Sequence, residues 1–317
     1  LAISALVKIS VLARFLEPSD FGLMALITFV LGFMDLFMDM GITSAILHKQ
    51  NIKEEEYSSL YWLNVMFSLF LFLLIVVLSP FIASFYDELR LNKLIPLTSL
   101  VILFSAVGRQ FKTILQKELK FRTMAIIDIF SVSIALVAAI IFAANGFGVY
   151  ALIYSALIQY GINNILYFII GTKRSPLRFH FRYFETRPFL KIGIYQVGGQ
   201  VINYINRDLD VLIIGKFFGA EILGGYSLAK QLARRPLMVI APIIIRVATS
   251  ILPRFQNNNI KLLDYTLKIL KSTSTLNAFI YGVMALFAPV VVRIMYGEEY
   301  IYITPIFILF TIVCATK

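Results

Sequence analysis

The sequence predicts an all-α fold, a polytopic transmembrane helix bundle of two pseudo-symmetric six-helix lobes. About ten spans are expected in this stretch, with the second lobe incomplete and the N-terminus cytoplasmic. Three observations predict it. Hydrophobic residues make up 59% of the 317 positions and charged residues 15%, with a mean hydropathy of +0.83, whereas soluble domains run near 45–50% and about 25%. The apolar residues fall in long runs separated by short polar loops. A helix-and-turn near the start, Arg14-Phe15-Leu16-Glu17-Pro18-Ser19-Asp20-Phe21-Gly22, is matched roughly two hundred positions later by Lys216-Phe217-Phe218-Gly219-Ala220-Glu221-Ile222-Leu223-Gly224. In each copy an apolar helix ends at a basic residue and an aromatic, an acidic turn follows, and a glycine opens the next helix.

A bilayer core asks for about 20 apolar residues per helix. The runs that meet this are 1–16, 21–46, 58–85, 93–115, 124–144, 148–171, 189–214, 221–250, 265–293 and 302–317, the first and last cut short, so the chain reads as part of a longer protein. Loops after the even-numbered runs are rich in Lys and Arg, from Lys49 and Lys53 through Arg109–Arg122 and Lys173–Lys191 to Arg254–Lys271. Loops after the odd-numbered runs hold only Arg14, Arg90, Lys93, Lys216 and Arg293. Positive charge stays inside, which places the first set in the cytoplasm. The most basic loop, 172–188, separates an N-lobe (1–171) from a C-lobe (189–317). It reads first as a topology anchor and second as a surface for anionic headgroups. The first and seventh runs cross in the same sense, so the halves relate by an axis along the membrane normal, an arrangement typical of transporters.

The net charge of +11 could suggest nucleic acid, but in a chain this apolar it reads as loop charge, and no nucleic-acid partner is expected. Cys314 lies in an apolar run and His48 and His180 lie in loops, so no metal site, disulfide or cofactor is expected.

Charge inside a membrane helix costs about 2.5–3.5 kcal/mol on insertion scales and faces a cavity or a partner. The seventh run carries Gln196, Gln200, Asn203, Arg207 and Asp210 at spacings of 4, 3, 4 and 3, one face of a helix; Asp208 falls off that face and reads as paired to a neighbouring helix or placed at the outer interface. The second run repeats the device with Thr28, Gly32, Asp35, Asp39 and Thr43. The eighth places Ser227, Gln231 and Arg234 on one face, Lys230 and Arg235 at its edges, and Pro236 as a kink. Lys8 and Asp128 sit alone in the first and fifth runs, and Arg109 and Lys112 near the cytoplasmic end of the fourth. Crowded positive charge on the eighth run is stable beside anions, and arginine grips a phosphate with two parallel hydrogen bonds.

Several segments carry a resemblance: Leu12–Leu23, Met38-Asp39-Met40-Gly41-Ile42, Tyr61-Trp62-Leu63-Asn64, Asn203–Asp210, Ile214-Gly215-Lys216-Phe217 and Tyr226-Ser227-Leu228-Ala229. In order and spacing the chain resembles the polysaccharide flippases of the multidrug/oligosaccharidyl-lipid/polysaccharide exporter superfamily, the branch handling colanic acid, O-antigen and teichuronic acid repeat units. The resemblance implies twelve to fourteen helices in two lobes that rock to alternate access. It also implies a cavity where the headgroup of an undecaprenyl-diphosphate-type lipid-linked oligosaccharide crosses a bacterial inner membrane. On that reading Arg207, Lys230, Arg234, Arg235 and Lys8 take the diphosphate, and Gln196, Gln200, Asn203 and Gln231 take sugar hydroxyls. Asp35, Asp39 and Asp210 serve H+ or Na+ coupling or charge balance, and both roles stay open. Polymerase and glycosyltransferases of the same pathway are implied partners. Lys230, Arg234 and Arg235 depart from the aromatic or neutral polar residues expected there, which fits either an acidic glycan or local pairing.

Two other functions compete. A drug/cation antiporter of the same superfamily needs an acidic cavity, against the basic eighth run. A membrane glycan polymerase or glycosyltransferase needs a long external loop or a catalytic constellation; here the external loops are short, and Asp208 and Asp210 diverge around the helix.

Overall fold

Every regular element is helical among the residues that the computed structural model describes, 2–39, 42–49, 52–256 and 258–316. Met40 and Gly41 of the second segment quoted above, and the side chains of Gln196 and His48, lie outside the described residues. The helices are α1 (Ala2–Leu12), α2 (Pro18–Asp39), α3 (Ile42–His48), α4 (Glu54–Phe85), α5 (Leu91–Lys117), α6 (Phe121–Ala144), α7 (Val149–Thr172), α8 (Tyr183–Ile251), α9 (Asn259–Leu286), α10 (Ala288–Tyr296) and α11 (Thr304–Ala315). Among the described residues seven stretches are long and apolar enough to cross a membrane, or eight with the bent pair α9–α10. The chain is a multi-pass membrane protein.

The ten runs differ from this count at three places. Helix α1 has only 11 residues. The runs at 189–214 and 221–250 form the continuous stretch α8, broken at Gly219 (φ 79°, ψ 176°), a backbone conformation that only glycine adopts without strain. Gly219 sits inside the second copy of the repeat, so both copies do turn the chain. The run 265–293 is not one straight helix: α9 and α10 meet at 74°, with proline in the first turn of α10, where it starts a helix and cannot continue one.

Phe15–Leu223 pack together as one compact unit, and Ala2–Arg14 with Gly224–Lys317 as a second. The division falls within α8, close to Gly219. Contacts inside the first unit hold the seventh run to α2. Tyr204 of α8 donates its hydroxyl to the Phe29 carbonyl of α2 at 2.7 Å and stacks on the Phe29 ring. Gly22 of α2 lies so close to α8 that a Cβ there would stand 1.7 Å from the Ala220 carbonyl oxygen.

In this unit α5 packs between α4 and α7. Small residues allow the approach, as expected where lipid gives helices no hydrophobic reason to associate. A Cβ on Gly108 would fall 2.5 Å from the Asn164 α-carbon, and one on Gly171 would fall 2.3 Å from the Phe111 ring. Helix α6 buries the narrow seam Ile127, Ser131, Ala135, Ala139 and Ala143 and leaves Ile126, Phe130, Val137 and Ile141 exposed. A helix so apolar with so little covered belongs in lipid. Helices α4, α5 and α6 end alike, with Asp87, Leu119 and Gly146 in the left-handed region. The next N–H in each reaches back five residues, as Lys120 does to Leu115 at 2.9 Å, closing the spare carbonyls.

In the second unit α11 packs on α9. Gly225 of α8 abuts Tyr302 and Ile303, Tyr296 donates to the Leu228 carbonyl at 3.2 Å, and Ser10 of α1 donates to the Met295 sulfur at 3.6 Å.

Candidate functional site

The expected site residues fall in both units. In the first, Tyr204 turns one face of α8 onto α2, and the polar face looks elsewhere. Asn203 and Arg207 are exposed and Gln200 and Asp210 half-buried. Arg207 donates to Asp208 at 2.7 Å and lies 5.1 Å over the Tyr204 ring, a stacking that suits a guanidinium. Asp208 thus has a basic partner on its own helix. Asp210 accepts from the Val211 N–H at 2.9 Å. Lipid contact would penalise each exposed polar group on a helix this apolar.

Helix α2 supplies Asp35 and Asp39. Asp35 bonds to Arg109 of α5, so this acid answers a base of its own unit. Asp39 accepts from Thr43 of α3, whose hydroxyl stands 3.5 Å from Thr113. Asp39, Thr43, Asn64, Arg109 and Gln110 line one small cleft. Asp128, alone in its run, is satisfied by Asn163 at 2.8 Å, Tyr167 at 2.9 Å and Lys112 at 3.6 Å, which is a structural role.

Arg109 and Tyr204 carry this geometry and were not among the expected site residues. Both had a signal. Arg109 shares a helical face with Ser105 and Lys112, and Tyr204 stands beside Asn203 inside the segment Asn203–Asp210.

In the second unit Lys230 is buried, at 9% exposure, and Arg234 and Arg235 are half-buried. Arg235 donates to the exposed Gln231 at 3.3 Å. Lys8 is half-buried on α1. The basic residues of α8 therefore differ among themselves: Lys230 is enclosed while Gln231, one residue on, is open.

Fold and site together define a many-helix membrane protein that carries charged and amide side chains on otherwise apolar helices. It belongs to the polysaccharide biosynthesis protein family, whose model matches residues 11–305. It is 30% identical to the teichuronic acid biosynthesis protein TuaB of Bacillus subtilis, over 86% of this chain and 57% of that protein. It is 28% identical to the lipopolysaccharide biosynthesis protein WzxC of Escherichia coli, over 97% and 63%. It is 23% identical to the succinoglycan biosynthesis transport protein ExoT of Rhizobium meliloti, over 95% and 60%. The chain thus spans about three fifths of the length of these relatives. No solved structure matches it significantly.

Proposed function

We propose that the protein flips a polyprenyl-diphosphate-linked oligosaccharide repeat unit from the inner to the outer leaflet of a bacterial cytoplasmic membrane by alternating access, for surface polysaccharide export. The observation that carries the reading is the polar stripe Gln200, Asn203 and Arg207 on α8, with Asn203 and Arg207 exposed, backed by family membership and by the transport role in ExoT's name. Amides and a guanidinium on one face are the groups that bind sugar hydroxyls and phosphate. Arg207, Lys230, Arg234, Arg235 and Lys8 are the basic residues that this reading assigns to the diphosphate. Gln196, Gln200, Asn203 and Gln231 supply hydrogen bonds to the glycan. Transport breaks no covalent bond and needs no catalytic residue. Asp35, Asp39 and Asp210 would serve H+ or Na+ coupling or charge balance.

The test is export. Arg234→Ala should abolish surface glycan while the protein still inserts at wild-type level, and lipid-linked repeat units should accumulate inside. Normal export by that variant overturns the role of Arg234. Unchanged binding of purified lipid-linked glycan by Arg207→Ala and Arg234→Ala together overturns the substrate class.

A further inference from the structure

The connection from α7 to α8 is not a free basic tether. Two of its arginines are consumed: Arg174 pairs with Glu118 at 3.0 Å and Arg178 with Glu54 at 3.0 Å. The backbone is tied to α4 as well. The N–H groups of Arg178 and Arg182 donate to the hydroxyls of Ser58 and Ser59 at 3.2 and 3.0 Å. Ser59 donates to Glu185 at 2.6 Å, and Trp62 donates its indole N–H to the Arg178 carbonyl at 3.1 Å. This segment is a strap clamped along the first two turns of α4.

Clamping turns a row of aromatics outward. Phe179 is 96% exposed and Phe184 81%, with Tyr183 and Phe181 beside them and Arg182 and Arg187 exposed among them. Large apolar rings held open by hydrogen-bonded backbone mark a surface with an occupant. Helix α4 has 32 residues, about 48 Å of helix against a hydrocarbon core of about 30 Å. Its acidic first turn therefore stands in the interfacial layer, and the strap lies at that height, on the side the Lys and Arg bias assigns to the cytoplasm. Rings with a polar neighbour at headgroup level are the aromatic belt of membrane proteins. Exposed guanidinium groups there meet the negative inner leaflet.

We propose that residues 178–187 form a lipid-binding strap: Phe179 and Phe184 enter the interfacial layer of the cytoplasmic leaflet, and Arg182 and Arg187 bind the phosphates of anionic phospholipids. This binding is independent of the transported substrate.

Trp62 is the single tryptophan of these residues, and its ring lies 4.8 Å from that of Phe179, which makes it a reporter. The full-length protein, with any tryptophan other than Trp62 replaced by phenylalanine, is placed in nanodiscs carrying equal fractions of brominated phosphatidylglycerol or brominated phosphatidylcholine. Quenching of Trp62 is expected to be about twofold stronger with the anionic lipid, a modest enrichment for two surface arginines. Arg182→Gln with Arg187→Gln should remove the difference, and Phe184→Ser, which keeps the Trp62–Phe179 stack, should weaken quenching by both lipids. Equal quenching in the wild type overturns the proposal, as does a preference that survives the double substitution. Should the double variant fail to fold, salt decides on the wild type: high salt screens exposed charge, and a preference that persists in it overturns the role of the arginines.

Discussion

Arg109 on α5 reaches Asp35 on α2, and the carboxylate it holds is still 57% exposed at the side chain. A charge pair between two membrane helices that stays this open faces water, because lipid would drive the groups together or neutralise them. The acid that the sequence assigns to coupling or charge balance thus has its base within its own unit, and removing either leaves the other solvated.

Asp35→Asn is therefore expected to change the thermal stability of the solubilised protein little, by about 0–1 kcal/mol, since open ion pairs contribute no more. Export is expected to fall far more than stability. Melting curves beside export complementation check this. A variant that melts well below the wild type and exports in proportion to its folded fraction shows the pair to be structural only.

The α5–α7 packing gives a sharper stability test. A Cβ on Gly108 would stand 2.5 Å from the Asn164 α-carbon and 2.6 Å from its carbonyl oxygen, both backbone, so neither can yield without moving a helix. Gly108→Ala should destabilise by about 1–3 kcal/mol, the range for overpacked sites. Gly198 of α8 has nothing within 4 Å of an added Cβ, and Gly198→Ala should be neutral or stabilising by up to about 1 kcal/mol. Equal melting temperatures for the two variants would contradict the packing.

Glu185 makes the strap sensitive to acid. The Ser59 hydroxyl first, and then the His180 ring at 3.0 Å, hold its carboxyl below the usual glutamate range. A depressed carboxyl contributes stability in full above its unfolded pKa and loses it as pH falls through the folded one. The strap should stay docked at neutral pH and begin to release below about pH 4. A change in Trp62 emission over that window, absent in Glu185→Gln, reports the release; an identical transition in that variant assigns it to other groups.

Hydropathy alone locates α2, α4, α5, α6 and α7, because a chain in lipid must close its backbone hydrogen bonds within each helix and show lipid an apolar surface. The polar stripe on α8 is legible for the same reason, as a 3.6-residue period that lipid would not tolerate. Pairing is not legible. Asp35 and Arg109 lie 74 positions apart, and which base answers which acid depends on which helices touch. Arg109 and Lys112 read as cytoplasmic-end charges, yet they neutralise Asp35 and Asp128. Loop charge is silent on pairing in the same way: Arg174 and Arg178 count toward the orientation bias and are also bound to glutamates. The bend between α9 and α10 did leave a mark, in Pro289, inside a run that hydropathy treats as continuous.

The three matching helix ends offer an internal comparison of backbone strain. Gly146, Asp87 and Leu119 occupy the same left-handed position, with φ of 76°, 54° and 57°. Glycine takes it freely and aspartate tolerates it, whereas a side chain such as leucine costs about 1–2 kcal/mol there. Leu119 is 72% exposed, so its side chain recovers little by packing. The turn persists because its bonds are made, Leu119 N–H to the Gln116 carbonyl at 3.0 Å and Lys120 N–H to Leu115 at 2.9 Å. Leu119→Gly relieves the strain and gives back part of it through the freer unfolded chain, about 0.4–1 kcal/mol. The net expectation is a gain of about 0.5–1 kcal/mol, a rise of about 2 °C in melting temperature for a chain this long. Asp87→Gly should gain less, and Gly146→Ala should lose stability. Melting the three variants side by side ranks them, and a Leu119→Gly protein no more stable than Asp87→Gly would show that the leucine is held by a contact outside the protein, the lipid interface at the end of α5.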